Sequence, residues 1–123
     1  MIFVSISETD IDKCIELVKK YKNVELRLDL IKPDIDEIGL LISNADTTIC
    51  TYRDDSEPHK SYEYTVKALE LGADIVDFSL ENSPDMIRQV VACAQRYEKM
   101  VMLSYHNFST TPENEMLCGL LAE

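Results

Sequence analysis

Five short runs rich in β-branched and aromatic residues recur along the chain, at 2–7 (IFVSIS), 24–29 (VELRLD), 47–53 (TTICTYR), 75–80 (IVDFSL) and 100–106 (MVMLSYH). Consecutive runs lie about 25 residues apart, the length of a strand followed by a crossover helix. No other feature constrains the fold as strongly. Strands that alternate with helices pair in parallel, and their crossovers are right-handed.

Between the runs, apolar residues recur with a helical period. Ile11, Cys14, Ile15 and Val18 follow the cap candidates Ser7 and Thr9. A second helix begins at Pro33 and carries Ile35, Ile38, Leu41 and Ile42; a third begins near Pro58, carries Tyr62, Val66 and Leu69, and stops at Gly72. The fourth, capped by Ser83 ahead of Pro84, presents Ile87, Val90, Val91 and Ala94. A fifth helix is predicted from TTPENE onward, with Met116, Leu117, Leu120 and Leu121 on its apolar side.

Successive side chains of a strand face opposite ways, and in these runs one parity collects the polar groups. It holds Ser5 and Ser7; Glu25, Arg27 and Asp29; Thr51 and Arg53; Asp77 and Ser79; Ser104 and His106. The other parity is apolar, with Val4 and Ile6, Val24, Leu26 and Leu28, Val76, Phe78 and Leu80, Val101 and Leu103. A doubly wound sheet, covered by helices on both faces, needs both parities apolar. One polar face fits instead a (β/α)8 TIM barrel, whose lumen holds polar groups and whose active site lies at the C-terminal ends of the strands. The expected fold class is therefore α/β, of the TIM-barrel family, with about five of its eight βα units present. Residues 1–123 are expected to form a single domain, the N-terminal portion of such a barrel.

Composition narrows the function. The formal charge is −11, so nucleic acid is repelled, and a small anionic ligand needs specific arginines to overcome that background. No apolar run approaches the ~20 residues of a membrane span, and MIFVSISETD has neither a basic segment nor a cleavage site of the secretory kind. No membrane association and a cytoplasmic location are expected. Cys14, Cys50, Cys93 and Cys118 lack metal-ligand spacing and sit in apolar patterns, which predicts reduced, buried thiols and no metal site.

Within the polar parity, Glu25 and Arg27 share one face of a half-buried strand. Alone they read first as a structural ion pair. Arg53 ends the next run on the same rim, and two convergent guanidiniums in an acidic protein form a clamp for carboxylate or phosphate. Ser5, on the polar parity of the first run, completes the candidate substrate-binding set. His106 ends the fifth run, where a pKa near 6.5 suits proton transfer at neutral pH, and Glu57 is a candidate to orient it. Gly-rich phosphate loops, HExxH and GxSxG are absent from the sequence. A phosphoacceptor receiver domain would need paired acids, an aspartate and a lysine at strand ends that here read SISETD, TYR and SYH.

The segments FVSIS, VELRLDL, TICTYRDDSE, GADIVDFSL and MLSYHNFSTTPENE, in this order, resemble type I 3-dehydroquinate dehydratase over essentially the whole chain. The resemblance implies a Schiff-base enzyme that eliminates water in syn fashion from 3-dehydroquinate, giving 3-dehydroshikimate in the shikimate pathway without a cofactor. It places the substrate-contacting residues at Glu25, Arg27 and Arg53, the catalytic general acid and base at His106, and its supporting glutamate at Glu57. Three departures accompany it. Pro58 and His59 stand where the family has glycines, Ser79 stands where it has a buried acid, and the imine-forming lysine of the family's sixth strand has no counterpart here. The eight lysines, Lys13, Lys19, Lys20, Lys22, Lys32, Lys60, Lys67 and Lys99, offer no evident substitute. The chain alone is accordingly expected to be an inactive part of the enzyme, or else a non-catalytic anion-binding or assembly module. Two unpaired edge strands would drive it to a homo-oligomer, such as a dimer.

Overall fold

The alternation of runs and helices becomes, in a computed structural model, a sheet whose strands lie in chain order. The structure describes residues 2–54 and 56–105, and the backbone of 116–120. The elements are β1 (Val4–Ile6), α1 (Ile11–Tyr21), β2 (Asn23–Arg27), α2 (Leu28–Ile31), α3 (Ile35–Ser43), β3 (Thr47–Thr51), α4 (Pro58–Glu70), β4 (Ile75–Ser79), α5 (Pro84–Arg96), β5 (Met100–Tyr105) and β6 (Met116–Leu120). The first five strands pair in parallel, each with the next in sequence. This is the frame of a partial (β/α)8 barrel.

Helix starts follow local chemistry. Asp10, and not Ser7 or Thr9, caps α1, its carboxylate accepting from the Asp12 N–H at 3.0 Å. Asp34 and Glu37 form a reciprocal capping box on α3, at 2.8 and 2.9 Å. Pro58 opens α4, and the chain leaves that helix through Gly72 at φ +106°, a conformation that disfavours a side chain. Ser83 Oγ accepts from the Met86 N–H at the start of α5.

Two segments depart from the sequence reading. The second run does not stay extended to residue 29: β2 ends at Arg27, and Leu28–Ile31 turn into a short helix that buries Leu28 and Ile31 together. Three-residue spacing lets one turn bury both side chains, which an extended strand would place on opposite faces. The second departure is Met116–Leu120, read as part of a helix but forming a strand antiparallel to β5, with Tyr105 opposite Met116 and Val101 opposite Leu120. A neighbour on that side satisfies N–H and C=O groups that β5 would otherwise leave unpaired, and Gly119 weakens the competing helix. The expectation of an open edge at β5 is thereby corrected. The outer strands of the sheet are β1 and β6.

Register makes the two faces continuous. Ile6, Leu26, Cys50, Val76 and Val101 stand side by side across five strands, none more than 1 % exposed. Against this row pack Cys14 and Val18 of α1, Ile38, Leu41 and Ile42 of α3, Ala68 and Leu69 of α4, and Val90, Cys93 and Ala94 of α5. Every strand residue in the buried apolar cluster belongs to the same parity. Among the described residues no helix is long and apolar enough to cross a membrane.

Leu26→Ala is expected to cost about 3 kcal/mol, the range for emptying a leucine site in a packed core, read as a shift in urea midpoint with unchanged slope. Burial, helped by the Asp74 charge, pushes the Cys50 thiol up to about 12. The folded chain should therefore leave Cys50 unalkylated by iodoacetamide at about pH 8, as peptide mapping would show.

Candidate active site

Parallel register carries the polar parity across the other face in rows. Ser5 lies beside Glu25, and Glu25 beside Ile49. One step further along the strands, Arg27 lies beside Thr51, Thr51 beside Asp77, and Asp77 beside Met102. The next step sets Ser79 beside Ser104. Charge therefore accumulates toward the C-terminal ends of β2, β3 and β4.

Each charged group in these rows has a partner. The Arg27 guanidinium grips Asp29 with two bonds, Nε to Oδ1 at 3.2 Å and Nη2 to Oδ2 at 2.9 Å. That bond, and then the charges of Asp29, Glu25 and Asp77, hold its pKa above the ordinary value against desolvation, so Arg27 stays cationic. The turn into α2 is what brings Asp29 back beside Arg27. On the neighbouring strand, Thr51 Oγ1 donates to Glu25 Oε2 at 2.9 Å. Asp77, 7 % exposed, accepts from Ser104 Oγ at 2.5 Å through one oxygen and from Arg53 Nη2 at 3.3 Å through the other.

The two arginines of the expected clamp thus stand on one face, but neither is an unpaired cation. Three carboxylates, Glu25, Asp29 and Asp77, accompany the two guanidiniums. A guanidinium has five N–H donors; Asp29 takes two from Arg27 and Asp77 takes one from Arg53. The side chains remain 23 % and 35 % exposed, so their other N–H groups are open to a ligand. Such a face can direct hydrogen bonds from two guanidiniums to the oxygen atoms of a small anion.

Ser5 is exposed on β1, one strand from Glu25. Glu57 occupies the N-cap position of α4 without capping it, half exposed and 3.6 Å from Lys60. His106 follows the last residue of β5 and lies outside the described residues, as does any contact it makes with Glu57. Ser79 uses its hydroxyl locally, accepting from the Glu81 N–H at 3.1 Å.

Among the described residues no strand carries a lysine, and none of the described lysines is buried. Lys60 is held above its ordinary pKa, first by Tyr52 and then by Glu57, the opposite of what an amine nucleophile needs. Lys99 pairs with Asp74 at 3.6 Å, at the other end of the sheet. Among the described residues no group of acids, histidines and cysteines is arranged to hold a metal ion.

Sequence reading placed Asp29, Thr51, Asp77 and Ser104 on the polar face but did not single them out. The parity that selected Arg27 and Arg53 was also their signal. Thr51→Val keeps the shape and removes the donor to Glu25; a loss of about 1 kcal/mol in denaturant-derived stability is expected.

Comparison with known proteins gives the family. A family described as Type I 3-dehydroquinase matches residues 2–123. A 3-dehydroquinate dehydratase of Staphylococcus haemolyticus (strain JCSC1435) is 29 % identical over 122 residues, covering 81 % of this chain and 50 % of that protein. Another 3-dehydroquinate dehydratase, of Hydrogenobaculum sp. (strain Y04AAS1), is 28 % identical over 129 residues, covering 99 % of this chain and 59 % of that protein. The chain spans about half the length of the curated relatives it matches. With five parallel βα-linked strands, charges gathered at their C-terminal ends and a match running along residues 2–123, the chain belongs to the type I 3-dehydroquinase family.

Proposed function

We propose that this chain carries the substrate-gripping and proton-transfer side of a 3-dehydroquinate dehydratase site. The observation that supports this best is the pairing pattern of the polar face: Arg27 and Arg53 are each steadied by an aspartate yet keep N–H groups exposed. In this reading Arg27 and Arg53 hold the substrate's carboxylate and oxygen atoms, and Glu25 and Ser5 accept from or donate to its hydroxyls. His106 moves the protons, with Glu57 as its orienting carboxylate.

The chemistry is a syn elimination of water. An amine condenses with the substrate's ketone, and the resulting iminium acidifies the adjacent C–H bond. A base removes that proton to give an enamine, whose electron pair forms the new C=C bond as the hydroxyl leaves with a proton from the general acid. Hydrolysis of the product iminium returns the water lost on condensation and frees the amine. His106 serves both steps, cycling between imidazole and imidazolium. The amine is the missing part, since no described strand supplies a lysine. The 123 residues therefore bind 3-dehydroquinate without turning it over. A second reading takes the two partly exposed arginines as the anion site of a non-catalytic binding or assembly module.

The reading extends to assembly and place. Among the described residues β1 pairs only with β2 and leaves its other side open as an outer strand, which favours association, for which a homo-oligomer is the simplest form. Three buried free thiols, Cys14, Cys50 and Cys93, suit a reducing, cytoplasmic setting.

Titration of the purified chain with 3-dehydroquinate should show saturable binding that Arg27→Ala abolishes and His106→Ala largely preserves. Equal binding by Arg27→Ala would remove the arginine from the site. Borohydride reduction in the presence of substrate should leave the mass of the chain unchanged; a trapped lysine adduct would overturn the inactive-chain reading. Light scattering at micromolar concentration should report more than a monomer, and a monodisperse monomer would exclude the assembly.

A further inference from the structure

Arg53 has an unusual anchorage for a residue expected to grip a ligand. It stands two positions beyond the end of β3, where the strand ladder no longer fixes the backbone. A long side chain on such a segment samples many directions, and each costs affinity when a ligand demands one of them. Its partner is placed differently. Asp77 lies in the middle of β4, paired in register on both sides, with Thr51 and with Met102.

The Asp77 carboxylate is itself braced. Ser104, 1 % exposed on β5, donates to Oδ1 at 2.5 Å, which leaves Oδ2 turned to Arg53 Nη2 at 3.3 Å. A buried carboxylate is expensive, and an apolar residue of similar volume is often no less stable in such a place. This face accepts apolar residues one row away, where Ile49, Ile75 and Met100 stand side by side. Stability alone therefore does not call for an acid at this position.

We propose that Asp77 is the positioning residue for Arg53, transmitting the rigidity of β4 and β5 through the Ser104–Asp77–Arg53 chain to a guanidinium that the β3 ladder does not hold. This assignment rests on the proposed function for its effect on 3-dehydroquinate, but not for the geometry. Arg53, its side chain 35 % exposed, keeps N–H groups open to the ligand, and Asp77 sets the direction in which they point.

Two measurements on the full chain test it. Without ligand, nitrogen-15 NMR of the Arg53 side chain should show slowed guanidinium rotation, and Asp77→Asn should release it. With 3-dehydroquinate, Asp77→Asn should weaken binding roughly two- to fivefold, the upper part of the range of one partly exposed ion pair. In an Arg53→Ala background the same substitution should have a clearly smaller effect, because the two residues are coupled. Ser104→Ala, a milder change if Asp77→Asn does not fold, should move both readouts in the same direction by less. Unaltered Arg53 rotation in the variants, or equal weakening with and without Arg53, would overturn the assignment and leave the proposed function standing. Failure of the unsubstituted chain to bind 3-dehydroquinate would overturn the proposed function, while the ligand-free rotation still decides the role of Asp77.

Discussion

The pleat of five parallel strands is the constraint on which everything else in this molecule depends. Successive residues face opposite sides, so one parity can be surrendered to the helices while the other carries charge. A slip of a single residue in any pairing would exchange the two sets. Asp74 secures the foot of the sheet against such a slip. Its carboxylate accepts from the Thr48 N–H at 2.9 Å, its own N–H donates to Thr48 Oγ1 at 3.3 Å, and its carbonyl accepts from the Met100 N–H at 3.1 Å. One residue thereby ties β3, β4 and β5 together at the end opposite the charged rows.

Given that register, the electrostatics of the polar face follow. A chain of net charge −11 does not present bare arginines to an anion; it surrounds them with aspartates and leaves part of each guanidinium uncovered. The pairing holds Arg27 charged and restricts the motion of both arginines, at the cost of some attraction for a negatively charged ligand. Such a face grips by directed hydrogen bonds more than by net charge. That suits a small anion better than a polyanion.

Much of this was legible in advance where the signal is local. Ser83 ahead of Pro84, Gly72 after α4 and Pro58 at its start mark boundaries because caps and fixed φ angles act within a few residues. The core was legible too, since Leu26, Val76 and Val101 follow from a period of two. Non-local competition defeated the reading elsewhere. Ser7 and Thr9 are good cap types, but Asp10 is nearer the first buried turn and takes the role. The helical pattern of Met116–Leu120 was real in the sequence, yet the unpaired groups of β5 offered that segment partners it could meet only as a strand.

The candidate site divides along the same line. From sequence alone came the set of residues sharing the polar face, because alternation along a strand is a property of each residue and its immediate neighbours. Which of them bond to which was decided by the tertiary structure: Arg53 with Asp77 across 24 residues, Asp77 with Ser104 across 27, and Arg27 with Asp29 only because the chain turns into α2. Those pairings depend on the stagger between strands and on where each strand ends, and both are set by the packing of helices against the opposite face. The sequence determined which side chains could meet; the register of the folded sheet decided which of them do.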